Sequence, residues 1–175
     1  MRRAERDQQF KDFYFRETGR LRRIALLMVG DAERAEDLTH EALLRAYQRW
    51  GRIRNADPAP YVRRALVNLC RNDHRRRALE VRRLRDLWGA GRPAAEPDPA
   101  GRVDDALAMA SALRVLSPIR RATIVLHFYD DMSEANIAHT LDRPLNTVKS
   151  DVRRALEKLR ATLGDTREDA PNANR

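Results

Sequence analysis

Residues 133–159 read SEANIAHTLDRPLNTVKSDVRRALEKL, and their apolar spacing decides the fold. Ile137, Ala138 and Leu141 recur at helical intervals. After a very short turn, Val148, Val152, Ala155 and Leu159 take positions i, i+4, i+7 and i+11 of one stripe. The other side of this second segment presents Asn146, Lys149, Ser150 and Arg153, all able to bond phosphates or base edges. The pattern predicts helices over Ser133–Leu141 and about Pro144–Leu163, arranged as a helix-turn-helix whose second helix enters a major groove N-terminus first. An ordinary helical hairpin with a solvated basic face is the plainer alternative. The short turn and the small, polar N-terminal face favour the DNA reading.

Upstream of this pair, a helix is expected from about Asp104 to Leu116. Ser117-Pro118 is a cap followed by a first-turn proline and starts another, reaching about Tyr129 with Ala122, Val125, Leu126 and Tyr129 inward. Asp130 and Asp131 read as solvent-facing breakers at its end. Residues 89–102, GAGRPAAEPDPAGR, hold no core-forming side chains and read as a semi-extended linker. Before it, Leu21, Ile24 and Met28 follow the stripe of a helix that Gly30 stops. A second helix spans about Asp31 to Trp50, capped by Asp31, with Ala35, Leu38, Ala42, Ala46 and Trp50 on one face. GRIRNADPAP, residues 51–60, is a loop. Asp57-Pro58 then opens a long helix to about Trp88, with Val62, Leu66 and Leu69 buried and Tyr61 and Ala65 flanking them.

No alternating run reads as a strand. The expected fold is all-α: a helical domain of residues 1–88, a linker of 89–103, a second helical domain of 104–163 and a polar, disordered tail of 164–175.

The formal net charge of +9 is unevenly placed. Residues 1–88 hold 22 Lys/Arg against 13 Asp/Glu, and residues 89–175 hold 13 against 13. Within the balanced half, residues 143–160 still carry six basic groups against Asp151 and Glu157. Two basic patches result, and a polyanion is the natural partner. Only three of the 35 basic residues are lysine, which suits phosphate and guanine contacts but also follows from codon bias.

On the long helix, Arg64, Asn68, Arg71 and Arg75 fall at i, i+4, i+7 and i+11, with Asn72 beside them. They make a row ~16 Å long that can follow a DNA backbone. Arg63, Arg76 and Arg77 are expected to add to it. The second helix has the opposite character: Glu33, Asp37 and Glu41 share one face, and only Glu41 has a partner in reach, Arg45. Such like-charge spacing costs an isolated helix roughly 0.2–0.5 kcal/mol per pair, and it points to a basic protein partner. Solvated faces are the bland reading of both stripes.

Catalysis is not expected. His40, His74, His127 and His139 show no HExxH spacing, and no phosphate loop or nucleophile elbow is present. The single cysteine, Cys70, excludes an internal disulfide and a multi-thiolate zinc site, and reads as a small core residue. No cofactor or metal is expected. The longest apolar run, Ile24–Val29, is too short to span a bilayer, and the N-terminus lacks a signal peptide's apolar core, so a cytoplasmic protein is expected.

AERAEDLTHEALLRAYQRW (32–50), PYVRRALVNLCRNDHRRR (60–77) and LSPIRRATIVLHFYDDMSEANIAHTLDRPLNTVKSDVRRALEKLR (116–160) together resemble the two conserved regions of extracytoplasmic-function sigma factors, group 4 of the bacterial sigma-70 family. The likeness covers about residues 10–88 and 104–163. It implies a factor that binds core RNA polymerase and directs promoter-specific initiation. The acidic helix, through Asp37, Leu38 and Glu41 with Glu33 on the same face, would dock on the clamp helices of the largest subunit. The second region would meet the flap of the second-largest subunit. Loop 51–60 and the following helix, with Tyr61, Arg64, Asn68, Arg71, Arg75 and Arg76, would melt the −10 element and capture an unstacked base. Arg143, Asn146, Thr147, Lys149, Ser150, Arg153 and Arg154 would read the −35 element. The linker would run through the RNA exit path, and an anti-sigma inhibitor is a further expected partner. The rival reading is a stand-alone helix-turn-helix repressor or activator, which leaves the acidic helix and the second basic helix without a role.

Five departures from the family pattern stand out. His40 replaces Gln, and Tyr61 replaces Trp while keeping an aromatic ring against the core. Asp142 takes the turn position of Gly, where it is expected to adopt the left-handed conformation. Pro144 replaces a Ser cap and is expected at the first helical position. Asp151 stands where a basic residue is common and is expected to pair with Arg154 or to repel a phosphate.

Overall fold

The computed structural model describes residues 3–88 and 104–168, all-helical with no strand among them. The first half is α1 (Arg3–Val29), α2 (Ala32–Gln48), the single turn α3 (Trp50–Ile53) and α4 (Ala59–Trp88). The second is α5 (Asp104–Ala112), a 3₁₀ turn (Leu113–Val115), α6 (Pro118–Ile124), a π-helical turn (Val125–Tyr129), α7 (Glu134–Leu141) and α8 (Leu145–Glu168). Residues 89–103 of the expected linker and 169–175 of the expected tail lie outside the described residues.

The boundary between α1 and α2 follows local chemistry. Gly30 has φ +69°, a left-handed turn that glycine enters without strain, and its N–H reaches the Leu26 carbonyl at 2.8 Å. The Asp31 carboxylate then accepts from the Arg34 amide at 3.0 Å and caps α2. α1, α2 and α4 pack through Leu21, Ile24, Leu43, Val62 and Leu66, all essentially without exposed surface. Phe10, Phe13, Tyr47 and Trp50 close one end as an aromatic cluster, with Phe10–Tyr47, Phe10–Trp50 and Phe13–Trp50 centroids 5.0–5.2 Å apart.

Several expected boundaries shift. The loop expected at 51–60 contains α3, since Trp50 anchors one more turn beneath the aromatic cluster; Trp50 is buried but opens α3 instead of closing α2. The Asp57 carboxylate accepts from the Ala59 amide at 3.0 Å, as a cap should. The helix expected to end at Leu116 finishes in a 3₁₀ turn. α8 runs to Glu168 and so takes in residues expected to be a disordered tail. Gly164 costs about 1 kcal/mol there but keeps its N–H, and Pro171 is the first residue that lacks one.

The larger correction concerns residues 125–131. The π-helical turn brings the Asp130 amide to the Val125 carbonyl, five residues back, at 3.2 Å. That wider turn rotates Tyr129 outward to 36% exposure, where it was expected inward, and rotates Asp130 inward to 3%. Asp130 is therefore not a solvent-facing breaker. Its carboxylate pairs with Arg20 of α1 and Arg63 of α4, while Arg20 Nη2 also donates to the Asp130 carbonyl at 2.6 Å. Arg63, expected in the basic row, lies one residue and about 100° round from Arg64 and faces this carboxylate.

The two halves thus pack together, and their buried apolar residues form one continuous core. Arg121 of α6, 5% exposed, holds the seam. It donates to Met28 O of α1 at 2.6 Å and to the Leu113, Arg114 and Leu116 carbonyls at 3.0–3.3 Å, satisfying helix-end acceptors from both halves.

Two outcomes follow for this core. Leu66→Ala and Ile137→Ala, each removing a fully buried side chain, should destabilise the chain by about 2–5 kcal/mol in denaturant titration. Cys70 is 2% exposed, and burial pushes its thiol up to about 12, so it is protonated at neutral pH. A thiol reagent at pH 8 should leave the native chain unmodified and label one cysteine after denaturation; fast labelling of native protein would contradict this packing.

Candidate nucleic-acid and protein interfaces

The outer face of α2 carries the acidic residues. Glu33 and Asp37 are exposed and make no ion pair among the described residues, whereas Glu41 accepts from Arg45 Nε at 2.8 Å. Leu38 is partly buried against the core. Leu44, 52% exposed and three residues beyond Glu41, extends this face with an apolar contact that the charge pattern had concealed. The result is a ridge with two uncompensated carboxylates and a leucine, suited to a cationic protein surface.

α4 presents the basic row as expected in part. Arg64, Asn68, Arg75 and Arg76 are exposed, and Arg71 is half-buried. Tyr61 is partly buried against the core, and its hydroxyl accepts from Arg49 Nη1 at 3.2 Å. Arg45 and Gln48 of α2 and Arg49 just after it join Tyr61, Arg64 and Asn68 around an open recess of ≈ 440 Å³. A second recess of ≈ 340 Å³ lies beside the 54–58 segment and is lined by Gln9, Asp12, Phe13, Arg16, Trp50, Arg54, Asn55 and Pro58. Trp50 Nε1 and Arg54 Nε are buried without a hydrogen-bond partner among the described residues. Of these residues, the sequence pairs Arg45 only with Glu41, gives Gln48 and Arg49 no separate role, and marks Arg54 and Asn55 only as part of the 51–60 loop. They come from α2 and the following turn, and only tertiary packing sets them beside α4. The Gly, Asn and Pro content of 51–60 marked the segment as irregular without showing what it would enclose.

The helix-turn-helix forms from local signals. Ser133 Oγ accepts from the Asn136 amide at 3.2 Å and caps α7. Asp142 adopts the left-handed conformation expected of it (φ 55°, ψ 55°), and the Arg143 amide reaches the Ala138 carbonyl at 2.9 Å. With the turn completed that way, Pro144 sits at the cap of α8, not at its first helical position, and its carbonyl accepts from Thr147 and Val148 at 3.0 and 3.1 Å. Ile137, Val148 and Ala155 are fully buried between the helices.

Asn146, Lys149, Arg153 and Arg154 are exposed on α8; Thr147 and Ser150 are half-buried, with Ser150 Oγ donating to the Thr147 carbonyl at 2.9 Å. Arg153 stands 3.8 Å from Glu157. Asp151 was expected to face Arg154 or a phosphate. Instead it is 6% exposed and paired with Arg120 of α6 and Arg143 of the turn, each at 3.2 Å. Arg143 is consequently held by its own fold, and the exposed cations Lys149, Arg153 and Arg154 are left to meet an anion. Among the described residues no cluster of His, Cys, Asp and Glu could hold a metal ion, and no helix is long and apolar enough to cross a membrane.

With this geometry in view, comparison with known proteins is specific. Residues 13–80 match the Sigma-70 region 2 family, and residues 106–159 match Sigma-70, region 4. An ECF RNA polymerase sigma factor, SigL of Mycobacterium tuberculosis, is 39% identical over 149 residues, 81% of this chain and 81% of the relative. The RNA polymerase sigma-E factor of Streptomyces antibioticus is 36% identical over 155 residues, 85% of this chain and 84% of the relative. The Bartonella quintana sigma factor RpoE, solved with the anti-sigma factor NepR, shares the fold at TM-score 0.71 and 24% identity, over 89% of this chain and 96% of that one. The two domain matches in their order and the likeness over more than four-fifths of the chain agree with the acidic ridge and the helix-turn-helix: the chain belongs to the sigma-70 family, among the extracytoplasmic-function sigma factors of RNA polymerase.

Proposed function

We propose that this sigma factor divides its work among three surfaces, and that it carries no catalysis of its own. The observation that bears most weight is the coexistence on one chain of the unpaired Glu33–Asp37 ridge and two cationic helices. The ridge on α2, with Leu38, Glu41 and Leu44, docks on the clamp helices of the polymerase's largest subunit. Carboxylates without an intramolecular partner break no ion pair when they meet a basic surface, and the exposed leucine adds apolar burial. The second half meets the flap of the second-largest subunit.

On the DNA side, Arg64, Asn68, Arg71, Arg75 and Arg76 track the backbone of the −10 element, with Tyr61 at the edge of the row. The base displaced on melting enters a recess beside residues 54–58. There the exposed Gln9, Arg16 and Asn55 and the half-buried Arg54 supply polar contacts above the buried rings of Phe13 and Trp50. Asn146, Lys149 and Arg153 at the N-terminal part of α8 read the −35 element in the major groove, flanked by Thr147, Ser150 and Arg154. Arg143 acts through Asp151 by fixing the turn. The protein works in the cytoplasm. An anti-sigma factor is a further proposed partner, supported by the complex in which the Bartonella quintana neighbour was solved.

Run-off transcription with core polymerase on genomic templates tests the whole reading, and defined start sites that require this chain are the expected result. Lys149→Ala and Arg153→Ala should each weaken −35 duplex binding by the holoenzyme, with core affinity unchanged, because both side chains are exposed and make no core contact. Asp37→Ala combined with Glu41→Ala should do the reverse; loss of promoter contact at intact core affinity would count against the ridge. Promoter affinity should fall steeply between 50 and 200 mM salt, by roughly 10³-fold or more if six or more phosphates are neutralised. A stand-alone repressor would instead footprint its operator without polymerase.

A further inference from the structure

Leu145 is the first residue of α8 and is 39% exposed. Leu141, Leu156 and Leu159 of the same motif pack against the core, and Leu145 does not. Val152, seven residues on and about 20° round the helix, is 8% exposed. The apolar stripe of α8 thus runs on for one turn past the residues that cover it, and Leu145 stands at its open end. Side chains of a helix lean toward its N-terminus, so this one leans off the end of α8, in the direction of entry into a groove.

The local fold does not use the side chain. Backbone bonds make the turn: the Arg143 amide reaches the Ala138 carbonyl, and the Pro144 carbonyl accepts from Thr147 and Val148. A first helical turn is stabilised by acidic side chains, yet that of α8 holds none. Leucine at this position exposes apolar surface without a structural return. Its neighbours are Asn146, next in the chain, and Lys149, one turn on and about 40° round the same edge; both are exposed.

The major groove offers donors and acceptors on every base pair, and a single kind of apolar group, the C5 methyl of thymine. Asn146 suits the N6 and N7 edge of adenine, and Lys149 the O6 and N7 edge of guanine. Neither can detect a methyl group. Leu145 has no polar side-chain atom and gains only by covering something apolar. We infer that Leu145 reads a thymine methyl in the −35 element, as the apolar member of a reading set whose other members take polar edges. This contact rests on the promoter reading above and adds one base-specific residue to it. Covering one methyl gives about a fourfold preference for thymine over the same base without the methyl.

The test removes that methyl and nothing else. Holoenzyme assembled with the full chain enriches promoter-length duplexes from a random-sequence library. Each thymine of the enriched upstream element, on either strand, is then replaced singly by uracil, which pairs identically. Wild-type holoenzyme should lose about fourfold in affinity at one thymine. Leu145→Ala should bind the unmodified duplex about fourfold more weakly and show no further loss with uracil at that position. Leu145→Met, apolar and of similar reach, should keep the preference. Because Leu145 is exposed, the helical circular dichroism and core-polymerase affinity of both variants should match wild type. An enriched element without thymine overturns the contact, as does indifference to uracil at every thymine or an equal loss in Leu145→Ala. A gain from 5-methylcytosine at a cytosine, with no loss at any thymine, also overturns the assignment to thymine. A holoenzyme that enriches no duplex overturns the promoter reading and this contact together, whereas enriched duplexes indifferent to the methyl overturn the contact alone.

Discussion

A carboxylate buried between arginines from two other helices is the constraint on which the relation of the two halves depends. Removing Asp130 from water costs several kcal/mol, a cost offset only while Arg20 and Arg63 surround it. The packing of α1, α4 and the residues after α6 must therefore be correct together or not form. Hydrophobic contact alone would tolerate sliding of helices past one another. Charges in fixed geometry do not, and Arg121 enforces the same register by satisfying carbonyls of α1 and of the 3₁₀ turn with one guanidinium. Apolar burial supplies the drive to associate; the ionic groups select the arrangement.

The same logic operates at smaller scale in the DNA-facing half. Asp151 on a helix meant for a polyanion looks misplaced until its partners are seen. Paired with Arg120 and Arg143, it ties α8 to α6 and to the turn, and its charge is neutralised before any phosphate approaches. An acidic residue thereby positions a recognition helix without repelling its target. Asp151 thus engages none of the exposed cations of α8, and Arg153 meets only the exposed Glu157.

Much of the fold was legible in the residues. Periodic apolar spacing located the long helices, though only the last turns of α1; the caps at Asp31 and Asp57 followed from side-chain chemistry, and the left-handed Asp142 from the family resemblance together with that chemistry. The helix-turn-helix residues and the exposed members of the α4 row were found because adjacent turns of one helix display them. What spacing could not show were partners distant in the chain: Arg63 with Asp130, Asp151 with Arg120, and the recesses that Arg49, Arg54 and Trp50 help to line. Two arginines next to each other, Arg63 and Arg64, read alike in the sequence and serve opposite environments, one buried and one exposed. No local pattern separates them, because the difference is made by what packs against each side.

The π-helical turn at Val125–Tyr129 carries a consequence of its own. It is an α-helix with one residue too many, and that surplus sets the angular phase of everything after it. Deleting a single residue from this turn would restore regular winding and swing the following side chains by about 100°. Asp130 would then leave its arginines while α7 and α8 kept their own internal packing. A one-codon change in length could thus uncouple the halves of this molecule and leave each fold intact, so relatives of different length here need not share its resting shape.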